Sequence, residues 1–177
     1  HRPGFDDVIQ ATSGFMSINQ RGDGPIRTGG PVLDYSTGLH ACSSVMAALL
    51  LRLQTGEGQR VDIAMQDVTM LLMNRHTSIA ASTDELVPPG QNHDGFLLGR
   101  YATKDGHVML AGYFNKHQNG ILDTVGLSHY AALSSQEKQS RAEEIEIDVE
   151  QVLLERSSSE WDEVFSREGV LGGGVRD

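Results

Sequence analysis

A single cysteine, Cys42, stands in a chain of 177 residues. One thiol excludes an internal disulfide framework and is compatible with a reducing compartment, so a cytoplasmic location is expected. Cys42 falls among Ala41, Ser43 and Ser44 on an expected helix, where it reads as a small packing residue rather than a nucleophile. Cations are also scarce: 14 Lys and Arg against 24 Asp and Glu leave a net charge of -10. Phosphate recognition needs clustered Lys and Arg, and these are scattered, which argues against nucleic acid or an anionic membrane as partner. The acids crowd between Glu137 and Glu168, as expected of solvated helix faces. No uninterrupted apolar run approaches about 18 residues, so neither a membrane-spanning helix nor a secretory leader is expected. The seven histidines are dispersed, with no His-Glu-x-x-His or Cys-x-x-Cys frame, so no metal is expected. A nucleophile elbow and a phosphate loop are missing too, and Gly172-Gly173-Gly174, without a strand before it and a helix after it, reads as a turn.

What is present is organised around Pro31 to Met73: an acid, a long apolar helix, a tight turn, a short strand and a second apolar helix, the pattern of an α/β unit. Ser36 or Thr37 is the expected N-cap of the first helix, which runs to Gln54 with an apolar face of Leu39, Cys42, Val45, Met46, Leu49, Leu50 and Leu53. Gly56 and Gly58 end it. Gln59 to Ala64 alternates like a strand, and Gln66-Asp67 opens the second helix. Two helices this apolar need cover that the preceding residues are too few to supply. Upstream, Phe5, Val8 and Ile9 sit at helical spacing, and Met16 to Gly30 reads as a loop whose Arg21-Gly22-Asp23 is a turn rather than an adhesion motif.

Residues 82–97, with Pro88-Pro89-Gly90 and Gly95, read as a linker or flexible loop between a first part, 1–81, and a second, 98–177. The second part predicts a hairpin turning at Asp105-Gly106, a short helix from Lys116 to Val125, and two capped helices. The caps are Ser134 with Glu137, ahead of a helix to about Glu155, and Ser157 with Glu160, ahead of Trp161, Val164 and Phe165. This is a small α+β module. Among the acids Asp34 stands apart, because a carboxylate just ahead of a helix faces unpaired backbone N–H groups. From position alone, a structural cap and a catalytic group both remain open for it.

The runs from Leu33 to His40, Ala47 to Leu49, Thr55 to Gln59 and Val61 to Asp67 resemble class III CoA-transferases, the family of formyl-CoA:oxalate and carnitine CoA-transferases and α-methylacyl-CoA racemase. The opening Arg2 to Ser17 resembles the segment preceding these runs in the family, and the hairpin and closing helix resemble its small domain. The fold implied is α/β: part of the large CoA-transferase domain, mostly helices with a short strand, followed by the small α+β domain. The resemblance implies that Asp34 is the nucleophile and that Met65 lines the acyl pocket. The family's glycine-rich substrate loop falls near Gly90 and Gly95. The implied reaction moves CoA from an acyl-CoA to a carboxylic acid through an aspartyl-CoA thioester, with coenzyme A as substrate and no permanently bound cofactor. The family's racemases use a histidine where this chain has Phe5, which favours transfer over racemisation.

Family members have a Rossmann-like part before the residues matching His1 and a closing segment after those matching Asp177, and they form interlinked homodimers. The chain is therefore expected to be a segment of a longer protein and a homodimer. A non-catalytic remnant serving as a dimerisation or binding module is the alternative, and an acyl-CoA racemase a second.

Overall fold

The computed structural model describes residues 4–19, 24–83 and 93–176, and the chain divides into two compact units, residues 1–90 and 91–177. The Arg21-Gly22-Asp23 turn and Gly90 lie outside the described residues.

The first unit is helical: α1 (Asp6–Thr12), α2 (Phe15–Ile18), α3 (Val32–Thr55), α4 (Met65–Leu72) and α5 (Asn74–Thr83). α3 is carried by the run of strong helix formers from Met46 to Leu53, and it stops at Gly56, whose φ of 77° only glycine adopts without strain. Its start differs from expectation. The helix begins at Val32, so Asp34 lies inside its first turn, and Ser36 is no cap: its hydroxyl donates to the Val32 carbonyl at 2.7 Å.

The expected strand over Gln59 to Ala64 is also absent, although the backbone enters α4 extended at Ala64. A strand needs a ladder partner, and the first unit has no strand among its described residues. α1 inverts the expected burial, because Phe5 is 78% exposed while Asp6 and Gln10 are buried.

Of the 24 residues in α3 only Leu33 is buried, and Leu39, Met46, Leu49, Leu50 and Leu53 are exposed. Cys42 is exposed as well and packs no core. By length and overall composition α3 meets the measure of a membrane-crossing helix, contrary to the count of uninterrupted apolar residues. A core helix of a larger globular fold meets the same measure.

The second unit is the α+β module anticipated. β1 (His93–Gly95), β2 (Leu98–Ala102), β3 (His107–Ala111) and β4 (Gly172–Gly174) form an antiparallel sheet in that order. Helices α6 (Asn115–Thr124), α7 (Ser128–Ala131), α8 (Ser135–Ser140), α9 (Ala142–Leu153) and α10 (Ser158–Glu168) complete it. Tyr101, Val108 and Leu110 join Ile121, Leu122, Ile145, Val149, Leu153, Trp161 and Phe165 in one buried cluster.

Apart from the hairpin, the linker and the second unit depart from expectation at three places. The single helix to Glu155 is two, broken at Arg141, whose ψ of 18° leaves the helical range. The linker gives up His93–Gly95 to the sheet and Ser82 and Thr83 to α5. The triple glycine is a strand rather than a turn: a Cβ on Gly172 would stand 3.0 Å from both Leu110 and Phe165 side chains, so only glycine lets α10 lie this close over β3 and β4.

Candidate active site

The site begins with a problem of helix ends. The first N–H groups of α3 have no partner within the helix, and Pro31 at its N-cap offers no side-chain acceptor. A carboxylate from another helix supplies one. Asp6 Oδ2 accepts from the backbone N–H of Leu33 at 2.7 Å and of Asp34 at 3.0 Å. Asp6 Oδ1 accepts from Gln10 Nε2, and Gln10 Oε1 accepts from the Thr28 N–H at 3.0 Å. Both Asp6 and Gln10 are buried, at 4% and 0% exposure. Beside them Asp7 pairs with Arg27 at 2.6 Å and draws that guanidinium further above its usual value. The loop before α3 is thus tied to α1 at two points.

The consequence falls on Asp34. Capping is done by Asp6, so the Asp34 carboxylate is not consumed by it: the side chain is exposed and takes no hydrogen bond or ion pair among the described residues. Position alone left cap and catalyst open, and the geometry removes the cap.

Met65 opens α4, half-buried, and α1, α3 and α4 pack on one another. The structure therefore places Asp34 and Met65 on adjacent helices, each in the first turn. Gly95 belongs to β1 of the second unit and is exposed. Phe5 stands exposed in extended conformation just before Asp6.

A cavity of about 220 Å³ lies between α3 and the 62–71 segment, lined by His40, Ser44, Asp62, Ile63, Ala64, Asp67, Val68 and Leu71. His40 Nδ1 donates to the Ser36 carbonyl at 2.8 Å.

Sequence reading missed Asp6, Gln10 and Thr28. The one signal was a pair of polar residues, Asp6 and Gln10, at helical spacing where a purely amphipathic helix would bury apolar ones.

Comparison with known proteins supplies the family. Residues 1–177 match the family model described as CoA-transferase family III, and the chain belongs to that family. It is 35% identical over 111 residues to the succinate–glutarate CoA-transferase of Agrobacterium fabrum, a match covering 61% of this chain and 28% of that protein. It is 44% identical over 69 residues to the formyl-CoA:oxalate CoA-transferase of Streptomyces avermitilis, over 38% of this chain and 17% of that one. The solved structure of Rv3272 from Mycobacterium tuberculosis matches 99% of the chain with a TM-score of 0.82 at 20% identity, and the chain covers 48% of it. The matches thus span about a third or less of these curated relatives and about half of the structural neighbour.

Proposed function

We propose that the chain carries the nucleophile of an enzyme that moves coenzyme A between carboxylic acids, and that Asp34 is that nucleophile. The observation that carries the reading is an exposed carboxylate in the first turn of α3 whose capping duty is taken by Asp6. Family membership supports the reaction class.

The Asp34 carboxylate attacks the thioester carbonyl of an acyl-CoA. The C–S bond breaks, giving a mixed anhydride and CoA thiolate. The thiolate then attacks the aspartyl carbonyl of the anhydride, releasing the donor acid as its carboxylate and leaving an aspartyl-CoA thioester. An acceptor carboxylate attacks that thioester and expels thiolate, which attacks the acceptor's carbonyl, forming the new acyl-CoA and freeing Asp34. No external energy is consumed, because each thioester broken is replaced by another thioester, and the thiolate released in each half is recaptured in the next step. Coenzyme A enters as substrate and leaves as product.

Met65, on a helix that packs against the one carrying Asp34, is the proposed apolar wall for the acyl group, with Gly90 and Gly95 as further substrate-contacting candidates. The names of relatives that use succinyl-CoA or succinate make a dicarboxylic acyl group the first donor to try. Phe5 has no proton to exchange at an α-carbon, which supports transfer over racemisation. A homodimer belongs to the same proposal. The exposed apolar side of α3 supports the second reading, a binding or dimerisation module without catalysis.

The test uses the protein's full reading frame incubated with succinyl-CoA and trapped with hydroxylamine or borohydride. Mass spectrometry should find a hydroxamate or a reduced side chain on the peptide holding Asp34. Unmodified Asp34 with every acyl-CoA tried removes the covalent reading and leaves the binding module.

A further inference from the structure

We propose that Asp6 is a positioning residue for the reaction: it sets the backbone from which Asp34 acts. The inference rests on Asp34 being the nucleophile, and it adds a part to the machinery 28 residues upstream of it. Asp6 is buried and its Oδ2 takes two backbone N–H groups at once, those of Leu33 and of Asp34 itself, at 2.7 and 3.0 Å. The second bond is made by the nucleophile's own amide. A residue that merely ended the helix could use any of the first free N–H groups, whereas this one grips the peptide unit on which the reactive side chain turns.

The grip is directional because Asp6 is itself held. Thr28 N–H donates to Gln10 Oε1, so the amide of Gln10 must turn its Nε2 donor toward Asp6, and Asp6 must meet it with an acceptor. With the other oxygen occupied by α3, both Asp6 oxygens are acceptors. Only a carboxylate satisfies the whole chain of partners. In Asp6→Asn the new amide nitrogen faces the nitrogen of Gln10 inside a buried pocket, and two donors oppose each other. Exchanging the pair, Asp6→Asn with Gln10→Glu, restores every partner. The amide oxygen introduced on the first side chain accepts from α3, and its nitrogen donates to the carboxylate introduced on the second, whose other oxygen accepts from Thr28. The net charge is unchanged.

The experiment measures the rate at which Asp34 becomes trapped in the full-length protein given succinyl-CoA, alongside melting temperature and hydrogen exchange of the 33–34 amides. Asp6→Asn should slow trapping by about tenfold to a hundredfold, with the half-saturating succinyl-CoA concentration changed by less than about twofold, since what is lost acts after binding. The exchanged pair should recover most of the rate. A core variant of the second unit such as Val149→Ala, matched to Asp6→Asn in melting temperature, should keep the wild-type rate. The inference is overturned if this control slows trapping as much as Asp6→Asn does, or if the exchanged pair stays as slow as Asp6→Asn alone. If the wild type itself is never trapped, the covalent reading fails instead, and exchange at 33–34 still decides the grip: amides no faster in Asp6→Asn than in the wild type overturn it.

Discussion

A single exposed carboxylate carries the proposed chemistry, and its exposure makes it separable from stability. Asp34→Ala removes no buried contact and no cap, so the unfolding free energy should change by less than about 0.5 kcal/mol while CoA transfer falls to background. A thermal melt beside a transfer assay checks both halves. Tyr130 is the opposite case, a side chain whose ionisation is decided by its neighbours. Its hydroxyl donates to Asp148 at 2.6 Å and to Glu144 at 3.3 Å, with Arg141 5.1 Å from its ring centre. The hydrogen bond to Asp148, then burial, push the phenol up to about 12 from 10.0. The phenol proton is held more tightly folded than unfolded, so the associated stability is complete below pH 10 and is lost as pH rises through about 12. An ultraviolet phenolate titration should therefore show Tyr130 ionising late, and Tyr130→Phe should remove that step. None of this is readable from Tyr130 in the sequence, because Asp148 and Glu144 reach it only once α7 and α9 are packed.

The helices of the second unit announce themselves, and the reason is local. Ser134 with Glu137 and Ser157 with Glu160 form capping boxes whose partners lie three residues apart, within reach of any sequence reading. In each box the serine's N–H and hydroxyl hold the glutamate carboxyl below its ordinary 4.5. Their stabilisation is present above that value and is lost as pH falls below it, so Glu160→Gln should flatten the acid limb of a stability curve measured by thermal melts from neutral pH downward. Ser157→Ala should cost about 1 kcal/mol at neutral pH. α3 shows the contrary situation. Its cap is a carboxylate on α1, 28 residues away, and the nearest acceptors, Ser36 and Thr37, drew the expected start several residues too late. Gln59 to Ala64 alternates as a strand should, yet alternation makes a strand only beside a partner. The three glycines of β4 carry no side-chain pattern at all, and their role follows from the space that Leu110 and Phe165 leave them.

At the scale of the molecule the two units differ in how completely they bury themselves. The second closes around a continuous cluster from Leu97 to Phe165, with Trp161 stacked on Phe165 and its Nε1 donating to the Leu153 carbonyl at 2.9 Å. The first buries Leu33, Val68 and Met73 and leaves Leu39, Leu49, Leu50 and Leu53 exposed along α3. Residues 91–177 made alone should give a cooperative thermal transition, and residues 1–90 made alone should not, since burial rather than propensity stabilises helices in water. Circular dichroism melts of the two pieces decide it. The amino-acid sequence by itself determined the helices whose periodicity and caps lie within a few residues, the hairpin at Asp105-Gly106, the α+β character of the second unit and, through its resemblance to CoA-transferases, Asp34 as the residue to examine. Such signals are carried by neighbours along the chain. Tertiary structure alone decided where α3 begins, which carboxylate caps it, and therefore which one is left free. A hydrogen bond between α1 and α3 depends on how the helices pack, and residues 28 positions apart carry no local mark of it.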